Sequence, residues 1–207
     1  MLKAKIVALV VVSLFLSAIN GCPSNPAPVE KTGQTVCYSE SGTPRDCAGT
    51  GEDGEYQKGA AWPNPRFTDN NDGTITDNLT GLIWLQNANC FGLVNVQDAL
   101  SRSNELGDGS CGLTDGSNAG DWRLPNRFEL ESLLNLHYYG LAVPDTAGTG
   151  QWTEGDPFNN VQSDVYWSST THAFRTDSNW AVYMVDGSVD FNNKYSSVYA
   201  WPVRGGE

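Results

Sequence analysis

The sequence predicts an α+β domain of short antiparallel strands and two helices joined by many turns, and three observations point there. Seven Trp, eight Tyr and seven Phe stand beside 22 Gly in 207 residues, a composition of strands and tight turns rather than of a helical bundle. Asp-Gly pairs between β-prone segments mark hairpins, because the pair tolerates positive φ. Two further stretches carry apolar residues at helical spacing behind an asparagine suited to capping. No internal repeat and no collagen-like Gly-X-Y run interrupts this pattern.

The first segment is a leader. Lys3 and Lys5 precede an apolar run from Ile6 to Leu16, broken only by Ser13. The run falls short of the roughly 20 residues a bilayer crossing needs and suits a signal-peptide core. Ser17-Ala18-Ile19-Asn20-Gly21-Cys22 follows, small residues leading to a cysteine, which is the pattern of a bacterial lipobox. On this reading Cys22 is lipidated, residues 1–21 are a lipoprotein signal peptide, and the remainder is anchored in the bacterial cell envelope. Pro23, rather than an aspartate that would retain the chain at the inner membrane, points to the outer membrane. Pro23, Pro26 and Pro28 make 22–30 a proline-stiffened spacer. Residues 31–61 form a Gly-rich acidic arm without apolar periodicity, expected to lie on the main domain, 62–207.

Removing the leader takes away two of the 12 Lys and Arg and none of the 24 Asp and Glu, so ten face 24 and the net charge is about −14. Such a field repels phosphate backbones and excludes nucleic acid as a partner. It also argues against anionic lipid surfaces and, less strongly, against sulfated polysaccharides. Of five cysteines, Cys22 goes to the lipid, and an even remainder in an oxidising compartment implies disulfides. Three pairings are open. The local one, Cys37–Cys47 with Cys90–Cys111, is preferred, each bond contributing about 2–4 kcal/mol. A zinc site lacks any C-x-x-C or Cys/His cluster.

Within the domain, Arg66 to Asp69 and Thr74 to Asp77 flank Asn70-Asn71-Asp72-Gly73 as a hairpin, and Asn78 to Gly81 turns into the strand Leu82 to Leu85. A helix is expected from Asn95 to Leu106, with Val96, Ala99, Leu100, Ser103 and Leu106 on one side. Pro125-Asn126-Arg127-Phe128-Glu129 fits a capping box opening a second helix that buries Phe128, Leu130, Leu133, Leu134 and Leu136. Residues 137–164 read as loop. Strands follow at 165–170, 180–185 and 188–191, the last two joined at Asp186-Gly187, and at 199–204, where Pro202 implies an edge or bulge.

These segments, in this order, carry a resemblance. Phe67-Thr68-Asp69 through Thr80-Gly81-Leu82-Ile83-Trp84, Asp121-Trp122-Arg123-Leu124-Pro125-Asn126 with Glu129-Leu130, Tyr166-Trp167-Ser168-Ser169-Thr170, and Trp201-Pro202-Val203-Arg204-Gly205-Gly206 resemble the Legionella collagen-like protein C-terminal domain family. The match covers roughly residues 62–206. The family is similar to the C-type-lectin-like fold, shared with formylglycine-generating enzymes. The resemblance therefore implies two helices packed on twisted antiparallel sheets with the chain ends close together. Its best-known member is an adhesin for sulfated glycans. The present chain lacks a collagen stalk and is strongly acidic, which sets trimerisation and polyanion binding apart from it.

Arg123 and Arg204 are expected to pair with carboxylates, and Trp84, Trp122, Trp167 and Trp201 to build core. Tyr138, Tyr139 and Trp152 lie in the long loop, where a lectin-like fold carries its ligand loops, and are the binding candidates. Asp69 to Gly73 does not follow the calcium-loop spacing, and turn chemistry accounts for it. Catalysis finds no motif: the two histidines, His137 and His172, have no metal-ligand spacing, and the last cysteine, Cys111, precedes where a formylglycine-generating site would need a reactive pair. The expectation is a non-enzymatic, lipid-anchored envelope protein, without cofactor or metal, that recognises a carbohydrate or protein partner. The alternative is a structural periplasmic protein-interaction domain without a small ligand; an enzyme related to formylglycine-generating enzymes is the third reading.

Overall fold

Trp84, Trp122 and Trp201 are fully buried in a larger core and Trp167 in a smaller one, in a computed structural model that describes residues 29–205. The leader, Cys22 and Gly206 lie outside the described residues. The arm contributes β1 (Cys37–Tyr38), β2 (Pro44–Arg45) and a four-residue helix α1 (Asp53–Tyr56). The domain follows with β3 (Phe67–Asp69), β4 (Thr74–Asp77), β5 (Ile83–Leu85), α2 (Val96–Glu105), α3 (Arg127–Glu131), β6 (Val165–Thr171), β7 (Ser178–Tyr183), β8 (Val189–Asn193) and β9 (Val203–Arg204). A four-stranded sheet runs in the order β3-β4-β5-β9 and a three-stranded one in the order β6-β7-β8, every pairing antiparallel. The chain is thus α+β, mostly antiparallel sheet with little helix.

The first hairpin forms where Asn71 (φ 59°) and Gly73 (φ 84°) take left-handed backbone. Asp69 Oδ1 accepts from the Asn71 amide and Asp72 Oδ1 from the Thr74 amide and hydroxyl, so one oxygen of each carboxylate holds the turn, while Asp69 Oδ2 accepts from the Gln86 side chain at 3.2 Å. Gly73 is also a close approach: a Cβ there would stand 2.4 Å from the Gly112 carbonyl oxygen. The predicted 199–204 strand divides between the sheets. Tyr199 bridges to Tyr166, and β9 pairs with β5. Pro202 lies between, with no amide to donate, while its carbonyl accepts from Leu85.

Both domain helices start as predicted. Asn95 accepts from the Asp98 amide at 2.9 Å, and Asn126 and Glu129 form a full capping box. The second helix, however, stops at Glu131, with Ser132 as its C-cap. The expected buried side breaks: Leu130, Leu133 and Leu134 are buried, but Phe128 points away from Leu130 and is 75 % exposed, and Leu136 lies beyond the helix at the surface. Leu100 also faces solvent on α2, whose buried side is Val96, Ala99 and Ser103.

The larger core gathers Phe67, Ile75, Trp84, Trp122, Leu130, Phe158, Tyr166 and Trp201 between the four-stranded sheet and α3. A smaller one joins Val96 and Ala99 of α2 to Trp167 and Ala181 on the other face of the three-stranded sheet. Trp201 meets Phe158 and Trp84 edge-on at 4.7 and 5.7 Å, and its indole donates to the Leu85 carbonyl at 2.7 Å. Disulfides join Cys37–Cys47 and Cys90–Cys111, with Cα–Cα distances of 5.1 and 5.7 Å. Among the three open pairings, the local one is formed.

Candidate functional site

The acidic arm folds because its carboxylates accept backbone amides. Glu55 takes the Gly49 and Gly51 amides at 2.7 and 2.8 Å. Glu52 takes the Tyr38 amide at 3.1 Å and pairs with Arg45. These bonds hold both carboxyls below the usual range, through the Arg45 hydrogen bond for Glu52 and the glycine amides for Glu55. The arm lies on the domain through bonds that span 102 residues: the Gln34 amide group donates to the Leu136 carbonyl at 3.0 Å, and Thr35 meets His137 at 3.4 Å. The Leu136 amide donates to Thr32 in return, at 2.8 Å.

Between arm and domain opens a cleft of about 410 Å³. Lys31 to Thr35 form one wall, with Gln34 held in place by its bond to Leu136. Gln57 comes from the end of the arm, Trp62 from the first residue of the domain, and Asn135, His137 and Tyr138 from the loop behind α3. Two glycines permit this closeness. A Cβ on Gly33 (φ 85°) would stand 2.1 Å from Asn135 Oδ1, and one on Gly148 (φ 78°) 2.8 Å from Arg66 Cβ. Tyr138 is positioned by its hydroxyl, which donates to the Thr149 carbonyl at 2.9 Å, and by His137, whose ring meets it edge-on at 5.1 Å. Burial, with Asp145 adding repulsion, raises the Tyr138 phenol above its ordinary value, so it stays a neutral donor.

Beneath Trp62 lies a fully buried ion pair. Arg66 donates to both Asp77 oxygens at 2.8 and 3.0 Å and to the Ser132 carbonyl at 2.7 Å. Its guanidinium stacks 4.7 Å from the Trp62 ring centre. Glu30, at the root of the arm, is pushed up to about 7 by burial, which the Arg66 charge only partly offsets.

Of the three sequence candidates, Tyr138 lines the cleft. Tyr139 is 80 % exposed and its carbonyl accepts from Gln151; Trp152 packs half-buried against the core and donates to the Phe158 carbonyl at 3.1 Å. Neither of these two is among the lining residues. Gln34, Trp62, Asn135 and His137 escaped the sequence reading, because the cleft exists only once the arm has folded back. Trp62, an aromatic at the seam between arm and domain, was the one available signal. Arg123 forms a two-pronged pair with Glu129 at 2.7 and 2.6 Å, and Arg204 meets Asp115 at 3.1 Å over the Trp122 ring. His172 Nδ1 accepts the Phe174 and Arg175 amides at 3.2 and 3.0 Å, which makes it a turn former. Among the described residues no group of three or more His, Cys, Asp or Glu side chains gathers to hold a metal ion.

Two antiparallel sheets, short capped helices and a disulfide-clipped arm define a small α+β domain with a cleft lined by rings and amides. The chain belongs to the Lcl C-terminal domain family, whose sequence pattern matches residues 73–204. The match begins inside the first hairpin, so the arm and Phe67 to Asp69 precede it. No curated protein matches the chain.

Proposed function

We propose that this chain is a lipid-anchored, non-enzymatic protein of the bacterial outer membrane whose C-type-lectin-like domain binds a carbohydrate in the cleft between arm and domain. The lining of that cleft carries the reading. Trp62 and Tyr138 supply faces on which a sugar ring stacks, and the side-chain amides of Gln34, Gln57 and Asn135, each fixed by one internal bond, keep their other polar atoms for hydroxyl groups. The pairing of the last strand with the first sheet, and the long loop between α3 and β6, support the lectin-like assignment. The lipobox around Cys22 supports the anchor, and two disulfides suit an oxidising compartment. Both histidines serve as turn and stacking elements, and all four cysteines of the described residues are bridged, which supports binding over catalysis.

A glycan array probed with the mature chain, with calcium and with chelator, tests this. Binding is expected to a restricted set of saccharides under both conditions. A Gln34→Ala, Tyr138→Ala double variant is expected to bind at least about tenfold more weakly, a loss of about 1.4 kcal/mol. An array on which nothing binds, or a variant that binds like the parent, contradicts the proposal.

A further inference from the structure

On the α3 side of the three-stranded sheet, an aromatic surface runs outward from the helix. Trp180 pairs across the strands with Phe191, and the His172 ring lies 4.7 Å from both. Arg127 stacks 4.7 Å from the Trp180 ring centre and Arg175 stacks 5.0 Å from that of Phe191. Phe128, 75 % exposed, and Phe174, 88 % exposed, stand out from it. Neither the cores nor the cleft uses these two rings. Arg127 is neutralised by Glu131, while Arg175 forms no salt bridge among the described residues.

We infer that this face docks onto the phospholipid headgroups of the membrane that holds the anchor. The inference rests on the lipid-anchor reading. The tether is short: seven residues, 23–29, separate Cys22 from Glu30, and fully extended they reach at most about 25 Å. Glu30 enters on the α3 side, sharing a groove with Glu131 at the end of α3, whose five residues rise only about 8 Å. A domain held this close samples the surface at an effective concentration in the millimolar range, so a weak patch is enough to orient it. Charge selects the patch. Without its leader the chain carries a net charge of about −14, which turns most of its surface away from headgroup phosphates. Protruding phenylalanines beside Arg175 suit the interface, rings at the headgroup level and the Arg175 guanidinium on phosphate.

The test uses the mature acylated chain in zwitterionic phosphatidylcholine–phosphatidylethanolamine vesicles containing a brominated acyl chain, which quenches tryptophan on contact. Phe174→Trp places a reporter on the patch. Leu93→Trp places one at an exposed position before α2, on the opposite side of the sheet. Subtracting the parent's emission, quenching at position 174 is expected to exceed that at position 93 about threefold, and Arg175→Gln in the same background is expected to reduce it. Flotation with the vesicles, read in the same samples, reports the anchor. Chains that float with equal or no quenching at the two positions overturn the docking face alone, and point to a protein or glycan as its occupant. Chains that fail to float overturn the anchor and the docking face together.

Discussion

Asp77 is saturated. It accepts two bonds from Arg66, one from the Leu79 amide at 2.9 Å and one from the Thr80 hydroxyl at 2.8 Å, all without solvent. The pair therefore fixes the turn after β4 and the carbonyl of Ser132 behind α3 at once. Removing one partner strands a buried charge, so Asp77→Ala is expected to cost about 3–5 kcal/mol in urea unfolding, whereas a Met and Leu pair at 66 and 77 recovers much of that loss. Glu30 adds a pH dependence. Its folded carboxyl is pushed up to about 7 from 4.5 by burial, so the neutral form is the one the fold accommodates. Its contribution is complete below 4.5 and is lost as pH rises towards 7. A Glu30→Gln variant is expected to show a flatter stability profile across that window and to be the more stable chain above it, measured by urea unfolding at a series of pH values.

At the scale of elements, the local signals were legible and the distant ones were not. Asn95, Asn126 and Glu129 announced two helix starts because a cap is made by residues three apart. Asp72-Gly73 announced the hairpin for the same reason. The end of α3 was not legible: a helical period assigns faces only while the helix continues, and this one stops after five residues. Leu136 then falls beyond the helix, while Phe128, two residues before Leu130 and inside the helix, faces away from the stripe that holds Leu130, Leu133 and Leu134. So short a helix is held by its caps and by packing rather than by propensity. Asn126→Ala is expected to cost about 1 kcal/mol. Glu129→Ala is expected to cost more in the same thermal melts, because Glu129 also holds Arg123 and the Asn126 amide, at 2.7 Å.

For the molecule as a whole, the arm decides whether there is a site. Cys37–Cys47 clips the arm to itself and Cys90–Cys111 clips the loop after α2 to the core. Loss of the second pair is expected to lower global stability by about 2–4 kcal/mol, while loss of the first leaves the core intact and weakens saccharide binding. The contrast separates a stabilising staple from one that shapes the cleft. Composition and motif order disclosed the fold class and the family, because patterning and turn chemistry are written locally. The cleft was hidden because Gln34 meets Leu136 only after a return of 102 residues, and Gly33 faces Asn135 across a gap no periodicity encodes.

The direct measurement is chemical-shift mapping of the labelled mature chain with a saccharide selected on the array. The account predicts perturbed amides at Gly33, Gln34, Asn135, Tyr138 and Gly148, with the strands β6 to β8 unmoved. Shifts confined to other surfaces, or an arm whose signals ignore a saturating sugar, contradict it.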